Sequence, residues 1–249
     1  MGFSALLNDL SLIRESMSSI AELIDETELA ISREGIRMIA SDRAVVSVVD
    51  FFMSRDAFAE YNFEKDERIG INLINFLRIL RRALPNDIMK MKVGDSKLEL
   101  QLVSDSTRTF VLPIIDVSKQ DLPPIDKLDF TTHFEINNEI LSSGVEDADL
   151  ITDSVVFSAR SDRVVLTAES DNAKSELELT PGNPGLRDLT APSAARARYS
   201  LDYLKKIIKA KKLCEASRIS FSTDYPMRIS MEVPGRSQLT FILAPRVEE

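Results

Sequence analysis

Two segments carry charge at a spacing that can do chemistry. Leu201 to Leu213 (LDYLKKIIKAKKL) holds five lysines against one aspartate, and Ile71 to Leu84 (INLINFLRILRRAL) holds three arginines and no acid. Both read as helices. In the first, Leu201, Leu204 and Ile208 share one face. Lys205, Lys209 and Lys212 fall on the other, with Lys206 at its margin and Lys211 nearer the apolar side. In the second, Leu73, Leu77, Leu80 and Leu84 are expected on the buried face, with Arg78 and Arg82 pointing away. Cations stacked along one face of a helix neutralise phosphates without reading bases. A single lysine-rich helix is ordinarily just a solvated face. Two of them, in a chain of 31 basic and 40 acidic side chains, are a stronger signal.

Other chemistry is poorly supplied. One histidine, His133, gives no triad of imidazole ligands, and one cysteine, Cys214, gives neither a disulfide framework nor a thiolate zinc site. There is no GxGxxG or GxxxxGK[ST] to cradle phosphates. Asp147, Asp149 and Asp153 scatter in helical phase and make a poor cation cage. His133 and Cys214 read as structural. No catalytic residue, metal or cofactor is expected. No apolar run approaches the roughly 18 residues of a membrane span. The opening Met1-Gly2-Phe3-Ser4-Ala5-Leu6 has no basic leader and no acylation pattern, so a reducing cytoplasmic compartment is expected.

These charges need elements to position them, and the chain supplies them twice. With 249 residues, 44% hydrophobic, it suits two domains. The halves superpose at an offset of 140 − 12 = 128, with Leu12 and Ile13 on Ile140 and Leu141. Leu29, Ile31, Ile36, Met38 and Ala40 then fall on Phe157, Ala159, Val164, Leu166 and Ala168. Further on, Phe76-Leu77-Arg78 lies over Tyr203-Leu204-Lys205 and 108–113 over 239–244. Collinear matches of this kind indicate internal duplication. Each half reads as helix, strands, helix, strands. Helices are expected at 4–20, 71–84, 136–145 and 201–213. Hairpins are expected about Arg33-Glu34-Gly35, about Gly94-Asp95-Ser96, and between 155–159 and 163–169. Further strands are expected at 45–52, 107–114, 175–179, 219–223, 228–233 and 238–243. Pro123-Pro124 places an extended linker at 118–129, between domains at 1–117 and 130–249. The expected fold is α+β, two similar domains, each a sheet backed by two helices.

The chain also resembles, over essentially its whole length, the proliferating cell nuclear antigen family of DNA sliding clamps, in its archaeal form. The residues that carry the likeness are Glu22-Leu-Ile-Asp25, Glu34-Gly-Ile36, Ala40-Ser-Asp-Arg43 and Ile69-Gly-Ile-Asn72. Arg108-Thr-Phe-Val-Leu-Pro113 and the ending Leu243-Ala-Pro-Arg-Val-Glu-Glu249 complete the set. The resemblance implies a ring of three chains and six domains, with sheets outside and helices lining a hole that holds duplex DNA without sequence preference. It assigns Arg14, Arg78, Arg81, Arg82, Lys205, Lys206, Lys209, Lys211 and Lys212 to the DNA side. Ring closure would join Thr107, Arg108, Thr109, Phe110, Val111, Leu112 and Ile114 of one copy to Ala173, Lys174, Ser175, Glu176, Leu177 and Leu179 of the next. Partners would bring a short glutamine-containing segment with aliphatic and aromatic anchors to Ser41, Val45, Val46, Leu122, Pro123, Pro124, Ile125, Pro226, Ile242, Ala244 and Pro245. The implied partners are DNA polymerase, clamp loader, flap endonuclease and DNA ligase, with no membrane. Implied location is the cytoplasm in an archaeon and the nucleus in a eukaryote. The alternatives are a subunit of a heterotrimeric ring, or a scaffold that never encircles DNA.

Overall fold

The structure, a computed structural model, describes residues 2–118, 120 and 122–247. Met1, Lys119, Asp121, Glu248 and Glu249 lie outside the described residues, and with them two positions of the expected linker and the last two of the acidic ending. The chain forms two compact units. The first comprises Met1–Ser41, Val49–Asp121 and Val233–Leu239, and the second Asp42–Val48, Leu122–Glu232 and Thr240–Glu249.

In chain order the first half gives β1 (Phe3–Leu7), α1 (Ser11–Ile20), β2 (Glu26–Ile31), β3 (Gly35–Ser41), β4 (Ser47–Ser54), β5 (Glu60–Phe63), β6 (Glu67–Asn72), α2 (Leu73–Leu80), β7 (Ile88–Gly94), β8 (Lys97–Val103) and β9 (Thr107–Pro113). The second half gives β10 (Thr132–Asn137), α3 (Asn138–Asp149), β11 (Ser154–Arg160), β12 (Arg163–Glu169), β13 (Lys174–Leu179), β14 (Leu186–Thr190), β15 (Ala195–Ser200), α4 (Leu201–Ile207), β16 (Ala216–Phe221), β17 (Met227–Val233) and β18 (Ser237–Leu243). The order of strands and helices is the same in both. So is the pairing: β5-β1-β7-β8-β9 repeats as β14-β10-β16-β17-β18, and β4-β3-β2-β6 as β13-β12-β11-β15. The duplication read from apolar positions is thus a duplication of topology.

Each helix pair buries an apolar stripe on its own strands. In the first unit Ile13 and Met17 of α1 and Phe76 of α2 converge with Leu29, Ile36, Phe51, Met53, Ile71 and Met91. In the second, Leu141 and Val145 of α3 and Leu201 and Leu204 of α4 are buried over an aromatic cluster. There Phe157 meets Tyr199 at 5.8 Å and Phe221 at 6.4 Å, edge to face. Burial of each such side chain contributes about 1.5–3 kcal/mol. Asp95 and Ser96 both sit at positive φ, the two-residue turn that matches strand twist and sets the β7–β8 register. Gly70 lets the chain leaving β9 pass close by: a Cβ there would lie 2.0 Å from the Ile115 carbonyl.

The structure corrects several expectations. The helix expected from Ser4 begins only at Ser11, because Phe3, Ala5 and Leu7 alternate and form β1. Asp9 then accepts from the Ser11 amide and opens the helix. Ile71 and Ile136 belong to β6 and β10; Asn72 and Asn137 cap the helices that follow. The arginine helix ends at Leu80, so Leu84 lies beyond it and is 57% exposed instead of buried. The strand expected from Val45 starts at Ser47, since Val45 has φ of 56° and belongs to a loop. The lysine helix ends at Ile207 and tightens into a 3-10 turn at Ile208–Ala210. The linker, expected to be extended, has a 3-10 turn at Ile125–Lys127 directly after its two prolines.

Candidate nucleic-acid interface

Helix α2 presents Arg78, and the turn that follows presents Arg81 and Arg82, all exposed. That turn is held from below. The buried carboxylate of Asp87 accepts from the Leu84 amide (2.6 Å) and the Ser104 hydroxyl (2.8 Å), and it pairs with Arg108. The Leu84 amide above all, then Ser104 and Arg108, hold the Asp87 carboxyl below its ordinary range. Arg108 also donates to the Arg82 carbonyl at 2.9 Å. Arg108, assigned by resemblance to a subunit contact, therefore spends its guanidinium on the helix exit. Arg14 on α1 is half-exposed, 3.9 Å from Glu15.

Helix α4 and the turn and loop after it are arranged differently. Lys205 reaches Asp149 of α3 at 2.9 Å and Asp202 at 3.7 Å. Lys211 reaches Glu139 at 2.9 Å and donates to the Ser142 hydroxyl at 3.2 Å. Both ammonium groups are held above their ordinary pKa by these partners, led by Asp149 for Lys205 and Glu139 for Lys211. Lys206 lies 5.4 Å over the Tyr203 ring, and Lys209 and Lys212 are exposed. The amide of buried Asn138, on α3, donates to the Cys214 carbonyl at 2.8 Å and ties α3 to the loop after α4. Of the remaining candidates, Asp153 pairs with Arg246 at 2.7 Å, and His133 Nδ1 lies 2.9 Å from the Ser220 hydroxyl. Cys214 is half-buried.

Strands β9 and β13 each end a sheet, with a neighbour on one side only. Along β9, Arg108, Phe110 and Leu112 are half-buried, while Thr107, Thr109 and Val111 are exposed, Val111 by 53%. Ile114, half-buried past the strand, donates to the Ser96 carbonyl at 3.0 Å. Along β13, Ser175 and Leu177 are half-buried and Leu179 is buried; Lys174 and Glu176 are exposed and paired at 2.7 Å, after exposed Ala173. Both strands alternate as edge strands with one covered face do.

The candidate docking residues fall into groups. In the second unit the Ala244 amide donates to the Val46 carbonyl at 2.9 Å. Arg228 donates to the Ile125 carbonyl at 2.9 Å and stacks 4.8 Å over Phe130, which meets Tyr225, the neighbour of half-exposed Pro226, at 5.9 Å. Leu122 and Pro245 are half-exposed, and Pro123 and Pro124 exposed. Ile242 is only 6% exposed, and Phe241 and Leu243 are buried too, so Ile242 packs beneath the surface and is no open wall. In the first unit Ser41 is already engaged: Gln120 accepts from its amide at 2.8 Å and donates to its carbonyl at 3.1 Å. Sequence reasoning missed Asp42 and Tyr203. Asp42 had a signal, a carboxylate opening a loop just ahead of a strand. Its bond to Tyr203 spans 161 positions and had none.

A duplicated α+β chain with basic helix exits and open edge strands has the parts of a DNA clamp, and comparison with known proteins shows the family. Residues 2–120 match the family model "Proliferating cell nuclear antigen, N-terminal domain". The chain is 32% identical over 250 residues to the DNA polymerase sliding clamp of Thermococcus gammatolerans, covering all of both chains. It is 30% identical to that of Pyrococcus furiosus, again over all of both. Among solved structures, proliferating cell nuclear antigen from Thermococcus kodakaraensis aligns with a TM-score of 0.91 at 27% identity, over 98% of this chain and 100% of that one. The PCNA2–PCNA3 complex from Sulfolobus tokodaii aligns with a TM-score of 0.90 at 26% identity, with the same coverage. The chain belongs to the proliferating cell nuclear antigen family of DNA polymerase sliding clamps.

Proposed function

We propose that the chain is a non-enzymatic ring subunit that encircles duplex DNA and tethers a DNA polymerase to it. Three copies join head to tail, β9 of one beside β13 of the next, and the basic ends of α2 and α4 face the phosphates. The observation that supports this most is that both repeats place a cationic helix exit at the same point in the topology, while the chain as a whole is acidic. Contacts of that kind are independent of sequence and screened by salt, so the ring slides. Clamp loader, flap endonuclease and DNA ligase would dock through short peptide segments at the 42–47 loop, the 122–125 linker and the residues after β18. The proposed location is the archaeal cytoplasm, on the chromosome.

Topology gives the test. The loaded protein is expected to stay on a closed circular duplex in high salt and to slide off once a nuclease linearises it. Equal retention on both forms would rule out encirclement. The likeness to a PCNA2–PCNA3 complex favours a second reading, in which this chain closes a ring only with related chains. Solution mass separates the two, since three identical copies give a species near three times 27.9 kDa.

A further inference from the structure

The loop between β3 and β4 is strained and held. Val45 is a β-branched residue at φ of 56°, a region such residues rarely occupy, and its side chain is 53% exposed. Two backbone bonds close the loop, from the Val45 amide to the Asp42 carbonyl and from the Asp42 amide to the Ser47 carbonyl, both 3.0 Å, and one carboxylate braces it. Oδ1 of Asp42 accepts from the amides of Val46 (2.8 Å) and Ser47 (2.7 Å), and Oδ2 from the amide of Ala44 (3.1 Å). The fourth donor is not in the loop: Tyr203 Oη donates to Oδ2 at 2.8 Å. Tyr203 is on the basic helix α4, with the ammonium of Lys206 5.4 Å above its ring. Residues 42–48 and α4 belong to the same compact unit.

We propose that Tyr203 is a positioning residue for partner docking: through Asp42 it fixes the loop that displays Val45, and so connects the DNA-facing helix to the peptide-binding surface. The inference rests on the docking reading given above. Among the described residues three amides and one phenol donate to the carboxylate, and only the phenol comes from outside the loop. Removing it leaves the loop's own hydrogen bonds but frees the carboxylate to follow the loop. The strained conformation at Val45 is then sampled less, and a partner must restore it on binding, which weakens affinity. Coupling of this kind is reciprocal, so a partner that clamps Val45 also restrains the Tyr203 end of α4.

The experiment uses the full-length chain and a synthetic peptide carrying a glutamine followed by aliphatic and aromatic anchors. Its affinity is measured by calorimetry for wild type, Tyr203→Phe, Asp42→Ala and the double variant, and amide exchange is followed at Val46 and Ser47. Tyr203→Phe keeps the ring and its packing and loses only the hydroxyl. The expected result is about tenfold weaker binding with faster exchange at those two amides. The double variant is expected to bind no more weakly than Asp42→Ala alone. Wild-type affinity and exchange in Tyr203→Phe would overturn the inference while leaving the docking surface standing. So would a loss that persists undiminished in the Asp42→Ala background, since Tyr203 would then act by another route. Failure of the wild type to bind the peptide would overturn the docking reading itself, and this inference with it. Should Asp42→Ala unfold, Tyr203→Phe and its exchange pattern decide alone.

Discussion

The two helix pairs share one topology and differ in how they use charge. On α2 the arginines are exposed, and the structure spends its hydrogen bonds beneath them, where Asp87 and Arg108 lock the turn. On α4 and the turn and loop after it the lysines are more numerous, but Lys205 and Lys211 lean back onto Asp149 and Glu139 of α3. Nominal charge and available charge are therefore different quantities. A segment with five lysines, 201–213, offers fewer committed phosphate contacts than its composition suggests, because its packing partner is acidic. The first unit places a carboxylate beneath the turn that carries its cations, whereas the second pairs carboxylates with the cations themselves.

The sharpest way to break this contrast is to reverse charges in matched pairs. Arg78→Glu with Arg82→Glu is expected to lower polymerase stimulation on long templates far more than Lys205→Glu with Lys211→Glu. Each lost phosphate contact should flatten the log–log salt dependence of DNA binding by about 0.9. Equal effects of the two double variants would mean that the α3 carboxylates do not occupy their lysines in solution. Next in size is Val111→Asp on β9. The outer face of β13 carries Glu176 and Glu178 against Lys174, so an added carboxylate on the facing strand should shift the solution mass toward monomer without unfolding the domain. An unchanged mass would remove β9 from the subunit boundary.

A smaller effect sharpens the comparison from the other side. Asp149→Asn should release Lys205, steepening the salt dependence of DNA binding by roughly one contact, with stability little altered, as for an exposed pair. A flatter salt dependence would contradict the carboxylate-tuning account. Last comes acid. The Asp87 carboxyl titrates below its unfolded value, so its contribution to stability is complete above the ordinary carboxylate range and is lost as pH falls through the depressed folded pKa. Asp87→Asn should therefore lower stability at neutral pH and narrow the gap from wild type near pH 3, read by thermal melts across that range. A gap independent of pH would mean that Asp87 is held by shape and not by charge.

Much of this was legible in the sequence, for physical reasons. Apolar periodicity marked the duplication, the helices of both pairs and the hairpins, because those elements each bury one face. Strands β5, β6, β14 and β15 were not legible. Glu60–Phe63, Glu67–Asn72, Leu186–Thr190 and Ala195–Ser200 alternate polar and charged residues with small or few apolar ones, so period-2 patterning is faint. β1 was lost for the opposite reason: Leu6 and Leu10 sit at helical spacing and masked the alternation of Phe3, Ala5 and Leu7. The cations themselves were visible, but their partners were not. Lys205 to Asp149 spans 56 positions and Lys211 to Glu139 spans 72, and only the packing of α3 on α4 makes them neighbours.

The free edges of β9 and β13 carry one more consequence. They are different surfaces, so the proposed pairing is heterologous, and each copy has a donor end and an acceptor end. Association of that kind does not stop by itself. It closes if the turn per copy divides a circle and otherwise grows into a filament, so the angle at this junction, more than its strength, sets how many copies assemble. A copy with a ruined β9 and an intact β13 would still accept a normal neighbour's β9, but would have no edge of its own to extend the assembly on its other side. In a cell carrying both forms, such a variant would act as a chain terminator. Its harm would exceed its share of the population, because one defective member leaves a ring open.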